Sequence, residues 1–226
     1  MFSNGNRTQQ TPTSHLSNRG VALLPDQDFS ARCIELQQRA LTFLDLEPRL
    51  SLTENRPHLT LVQGLFGPAI DFPGLLSRVQ MSCNTGATVT LEPLELVYKP
   101  RGWIFLAVVR NELLDDLHRS IADLASPHMT PPAEDRTAPV GYSEEETASY
   151  RQFGYRYMYD CFYPHVTLGR VATPPTDGEM ARLTSLATEL GLFLPFRVAG
   201  ASVYEMGPDG AHARSILAVD LPDIKS

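Results

Sequence analysis

Two short segments carry matched pairs of side chains suited to proton transfer, Pro57-His58-Leu59-Thr60-Leu61 and Pro164-His165-Val166-Thr167-Leu168. In a strand, residues two apart share a face. Each segment therefore presents a histidine beside a threonine and turns the apolar residue between them to the opposite side. Cleavage of a phosphodiester needs a base to activate the nucleophile and an acid to protonate the departing oxygen. Histidine, with an unperturbed pKa near 6.5, supplies one neutral and one protonated imidazole around neutral pH. The hydroxyls of Thr60 and Thr167 are placed to hydrogen-bond non-bridging oxygens as charge develops on them. One such segment alone reads as a half-buried histidine beside an ordinary strand threonine. Two, each preceded by proline, point to a shared site.

The elements around them repeat. The first half reads strand (20–25), helix (28–46), His58 strand (58–62), helix (71–82), then a long strand (88–98) ending at Tyr98. The second half reads strand (103–109), helix (113–124), His165 strand (163–168), helix (177–190), then a strand (196–205) and a last one (215–220). Leu113, Leu117, Ile121 and Leu124 recur at helical spacing behind Asn111 as N-cap, and Thr176 with Glu179 forms a capping box closed by Gly191. A period near 107 residues predicts two related α+β lobes, about 20–102 and 103–226, with helices packed on antiparallel strands. A pseudo-twofold arrangement would bring both His-Thr pairs to one cleft. The symmetry is broken by an insert over 126–162, rich in proline and acidic residues and ending in an aromatic run with Arg151 and Arg156. A loop that long in a small domain is functional or lacks fixed structure.

Composition narrows the function classes. The chain has 226 residues, 42% of them apolar, and a formal charge of −7. That charge is unsuited to gripping long duplex nucleic acid, whose binding depends on many Lys and Arg contacts. Small nucleotides and oligonucleotide ends remain compatible with it. No apolar run reaches the length of a membrane span. Cys33, Cys83 and Cys161 are odd in number and lack CxxC spacing, which reads as a reducing compartment without a structural zinc. Residues 1–19 are polar and Ser/Thr/Asn-rich, read as a disordered leader, with export or organelle targeting as the alternative to a cytoplasmic location.

Further candidates flank the motifs. Tyr163, Trp103, Tyr155 and Tyr157 are placed to stack on a base or ribose, and Arg56 and Arg170 to hold a terminal phosphate. Each also has a structural reading, as core aromatic or surface arginine. Cys161, His165 and His128 lack metal-ligand spacing, so no metal site is expected. His15, His118 and His212 fall in the leader, on a helix surface and in a loop, and receive no role.

The two HxTx strands, the repeated lobe and the run Pro164 to Arg170 resemble the two-histidine (2H) phosphoesterase superfamily, including RNA 2′,3′-cyclic phosphodiesterases, also called 2′-5′ RNA ligases. The resemblance implies a bilobal pseudo-twofold α+β fold, with antiparallel sheets lining a central cleft and helices outside, and no cofactor. It maps the catalytic residues onto His58, Thr60, His165 and Thr167. The expected activity is hydrolysis of a cyclic or 2′-linked phosphodiester of a nucleotide or RNA end, foremost a 2′,3′-cyclic phosphate, by a monomer. A phosphodiesterase for 2′-5′ oligonucleotides or cyclic-nucleotide signals, and a nucleotide-binding module without turnover, are the competing readings.

Overall fold

The computed structural model describes residues 16–84 and 87–222. All but the last four residues of the expected leader lie outside that range, and the first strand, β1 (Ser17–Pro25), begins within the stretch expected to be leader. Helix α1 (Gln27–Ala40) starts where the Asp26 side chain accepts from the Phe29 amide. It stops six residues earlier than the periodicity predicts. Leu44 and Leu46 leave the helix to enter the core, and Glu47 pairs with the backbone of Arg170. Strand β2 (Leu59–Phe66) follows, then α2 (Phe72–Cys83), capped by Asp71.

The expected long strand over 88–98 is two strands, β3 (Thr90–Leu91) and β4 (Pro93–Lys99). The two pair with different strands, Thr90–Leu91 with Phe196–Arg197 and Pro93–Lys99 with Trp103–Val108, so the chain changes partner at Glu92. Next come β5 (Trp103–Val108) and α3 (Glu112–Ala125), whose N-cap Asn111 accepts from Leu114. The insert holds an unexpected helix, α4 (Glu144–Phe153). It opens on a complete Ser143/Glu146 capping box, carries three glutamates in its first turn, and ends at Gly154 with φ 75°. Acidic side chains favour a helix N-terminus and glycine adopts the left-handed stop at little cost, so each boundary has a local cause. The chain finishes with β6 (His165–Arg170), α5 (Asp177–Glu189), β7 (Phe196–Met206) and β8 (His212–Asp220).

The strands form one antiparallel sheet in the order β3-β7-β1-β2-β6-β5-β4, with β8 also on β7. The sequence halves exchange partners within it. β4 of the first half pairs with β5 of the second, and β7 of the second pairs with β1 of the first. Helices cross over in the same way. On α1, Gln37 donates to the Leu168 carbonyl of β6 at 3.0 Å. On α3, His118 bonds the Leu61 carbonyl of β2 at 2.9 Å. The two spatial halves meet at a seam between β2 and β6, where the sole register pair among the described residues is Leu59 with Val166. Both side chains are fully buried, so the residue between each His and Thr anchors its strand in the core.

Candidate functional site

Because Leu59 and Val166 face the core, strand alternation sends His58, Thr60, His165 and Thr167 to the other side of the sheet. All four line one cleft of about 420 Å³. Of the flanking candidates, Arg56, Trp103, Tyr155 and Tyr157 line the same cleft. Tyr163 does not. Its ring packs 5.6 Å from the His165 ring, with the Lys99 ammonium 4.4 Å from its centroid. Arg170 lines a neighbouring pocket, its guanidinium 5.7 Å from the Trp103 ring and its Nε donating to the Arg101 carbonyl at 2.6 Å. Arg170 is the last residue of β6, past the register shift that follows Thr167, and it pairs there with Trp103.

The two imidazoles are held identically by backbone. His58 Nδ1 lies 2.8 Å from the Arg56 carbonyl, and His165 Nδ1 lies 2.7 Å from the Tyr163 carbonyl. A carbonyl only accepts, so each Nδ1 carries the hydrogen and each Nε2 is the bare nitrogen of the neutral ring. Burial pushes both well below the usual histidine range. His58 falls to about 4, with the Arg56 carbonyl opposing the shift and the Arg56 charge adding to it. His165 falls to about 3, its Tyr163 carbonyl bond opposing while Arg156, His58 and Lys99 push it further down. At neutral pH both imidazoles are therefore neutral, not the neutral and charged pair that unperturbed values imply.

Their surroundings differ. Phe105 stacks on His165 with centroids 3.9 Å apart, and Tyr157 meets it edge-on at 5.5 Å. Beside His58 stand Tyr204, 5.1 Å away, and His212, also 5.1 Å away. The Tyr204 hydroxyl donates to Gln63 Oε1 at 2.8 Å and lies 3.3 Å from Thr60 Oγ1. With its single hydrogen committed to Gln63, Tyr204 can only accept from Thr60, so the Thr60 hydroxyl points at Tyr204.

Charge is sharply partitioned. The chain is acidic, yet Arg56, Arg101, Arg136 and Arg156 line the cleft and no described lining residue is acidic. Arg156 is only 8% exposed, and its guanidinium is held between the rings of Tyr142 and Tyr157, at 4.6 and 4.3 Å. Glu146 reaches no closer than 3.9 Å to it. Much of this wall comes from the insert, which folds back after α4 as Ser149 donates to the Tyr155 carbonyl.

Sequence reasoning misses Tyr204, Gln63 and His212. In the sequence, position 204 shows only as a strand end. The register of the β7–β8 hairpin, which is bulged twice, decides that position 212 returns to the cleft. His118, expected on a helix surface, is fully buried. Its Nε2 accepts from the Tyr159 amide at 2.8 Å, clamping the end of the insert to β2. Among the described residues, no group of three or more His, Cys, Asp or Glu is arranged to hold a metal ion, and no helix is long and apolar enough to cross a membrane.

No protein-family model matches this chain, and no curated protein matches it in sequence. Its shape is better matched. TT0787 of Thermus thermophilus aligns with a TM-score of 0.53 at 16% identity, covering 90% of this chain and 97% of its own. E. coli LigT, solved as a complex with 3′-AMP, gives 0.50 at 13% identity, covering 92% and 100%. These likenesses show the fold, an α+β chain with a large antiparallel sheet and helices.

Proposed function

We propose that this chain is a phosphodiesterase that hydrolyses a cyclic or 2′-linked phosphodiester of a nucleotide or RNA end, foremost a nucleoside 2′,3′-cyclic phosphate, without a metal. The observation that carries this reading is the convergence of two imidazoles, each with its Nδ1 fixed on a backbone carbonyl, on one arginine-lined cleft. His165 takes a proton from water as the water oxygen bonds phosphorus. His58 gives a proton to the sugar oxygen as its bond to phosphorus breaks. The assignment follows burial and local charge: burial first, with Arg156 and Lys99 adding to it, keeps His165 neutral, the state a base requires. His58 must arrive protonated in spite of its burial. An anionic phosphodiester in the cleft favours that proton, so substrate binding and proton uptake are coupled. Thr167 and Thr60 hydrogen-bond non-bridging oxygens, and Thr60 does so by turning its hydroxyl away from Tyr204.

The test is incubation with nucleoside 2′,3′-cyclic phosphates and, in parallel, 2′-5′-linked dinucleotides, with products separated by chromatography. Conversion of the cyclic phosphate to a monophosphate is expected. Turnover confined to the 2′-5′ esters would move the substrate assignment. Binding without turnover across both would make the cleft a nucleotide-binding module.

A further inference from the structure

A third histidine stands in the cleft with one nitrogen unused. His212, at the start of β8, is 1% exposed. Its Nε2 lies 3.0 Å from Ser202 Oγ, and its ring stacks on Tyr204 with centroids 4.5 Å apart and planes within 17°. Those contacts fix the ring. Its Nδ1 is buried and has no hydrogen-bond partner. A buried polar atom left in this state costs about 1–3 kcal/mol, and the His212 residue lines the cleft beside His58.

The surroundings of that nitrogen define what it suits. Burial, followed by the charge of His58, holds His212 down to about 3, with its own backbone opposing and Arg56 adding to the shift, so the ring is neutral at working pH. A neutral imidazole nitrogen is a weak anion site but a good partner for a hydroxyl, which can donate or accept as the tautomer requires. Gln63 and the hairpin residues Gly207, Gly210 and Ala211, which line the same cleft, are uncharged, and Arg56 is the cation within reach of the ring. The insert wall, by contrast, carries Arg136 and Arg156.

We propose that His212 is a substrate-contacting residue whose Nδ1 binds a neutral polar group of the departing nucleoside. The proposal rests on the phosphodiesterase reading and on His58 as the acid that protonates the leaving oxygen, since the sugar bearing that oxygen must then lie on the His58 side. Phosphate charge is met by the arginines, and the nucleoside is met by the uncharged hairpin wall.

The experiment compares two leaving groups. The first substrate loses a sugar oxygen and is whichever of the 2′,3′-cyclic and 2′-5′ esters the protein hydrolyses; the second is bis(p-nitrophenyl) phosphate, which loses an aryl oxygen and presents no sugar. In His212→Phe the ratio of kcat/KM for the sugar ester to that for the aryl ester should fall about 10- to 100-fold, the scale of one lost hydrogen bond to a buried group. A merely structural role would lower both rates together and leave the ratio unchanged, which would overturn the proposal. The single change strips Ser202 of its partner, so Ser202→Ala/His212→Phe serves as a second variant, with the same ratio as its readout. Failure of the wild-type protein on both sugar esters refutes the phosphodiesterase reading itself. Hydrolysis with an unaltered ratio refutes only the role of His212.

Discussion

Gly20 lies on β1 beneath the Tyr204 ring, and replacing it with alanine isolates the support of one half of the site. A Cβ built there would stand 2.2 Å from Tyr204 Cζ and 2.4 Å from its hydroxyl oxygen. Carbon atoms in contact sit about 3.5–4.0 Å apart, so the ring must retreat by roughly 1.3 Å or more. It has no slack, being fully buried and pinned by Gln63. Moving it drags the partner of Thr60 and the ring against which His212 and His58 are set. Overpacking of this kind costs about 1–3 kcal/mol, which for a chain of this size lowers Tm by roughly 2–12 °C. A displacement near 1 Å costs up to about 100-fold in rate. The assays are thermal denaturation and kcat on the substrate identified above. Gly64→Ala on β2 is the control, because its Cβ meets chiefly the flexible end of Met129 at 2.8 Å and should cost little. A Gly20→Ala protein with wild-type Tm and kcat would refute the idea that Tyr204 positions the His58 half-site.

His58→Ala and His165→Ala should each lower kcat about 10²–10⁴-fold without unfolding the protein; an aryl ester, which needs little protonation on departure, should rescue His58→Ala far more than His165→Ala, and the reverse order would exchange their roles. Hydrolysis should survive EDTA, and a loss restored by Mg²⁺ or Zn²⁺ would sink the two-histidine mechanism. Acid should destabilise the fold through its buried histidines: His58 and His118 are held near 4, and His165 and His212 near 3, against 6.5 when exposed. Below pH 6.5 the unfolded chain then binds protons that the folded chain refuses, so stability falls with pH, by up to about 1.4 kcal/mol per unit for each histidine, until the folded groups titrate near 4 and 3. Urea midpoints measured from pH 7 to about 4.5 check this, and a flat profile would mean that these rings are not held neutral.

What can be read in advance is what local rules control. The i, i+2 spacing of His58 with Thr60 and of His165 with Thr167 needs only strand geometry, and Asn111 and Thr176 each cap the helix they announce. The Ser143/Glu146 box is equally local, but the prolines before it draw the whole insert toward a loop reading. Other features depend on distant pairing. The exchange of β4 and β7 between halves, and the return of His212 to the cleft, follow from which strands become neighbours, and periodicity within a segment says nothing about that. Arg170 misleads for a smaller reason: it ends β6 past a register shift, where it packs on Trp103 and lines the neighbouring pocket.

The lone described register pair of Leu59 with Val166 has a consequence for how such a protein can diversify. The gap between the two imidazoles is gauged by main chain, one bridge wide, with the flanking side chains sealed in the core. Surface substitutions cannot reset that gauge. The cleft walls, by contrast, are hung from segments remote from the bridge, the insert on one side and the β7–β8 hairpin on the other. Lengthening, recharging or replacing either wall reshapes the cleft and leaves the spacing of the two imidazoles alone. Selectivity and chemistry are thereby separately heritable within one sheet.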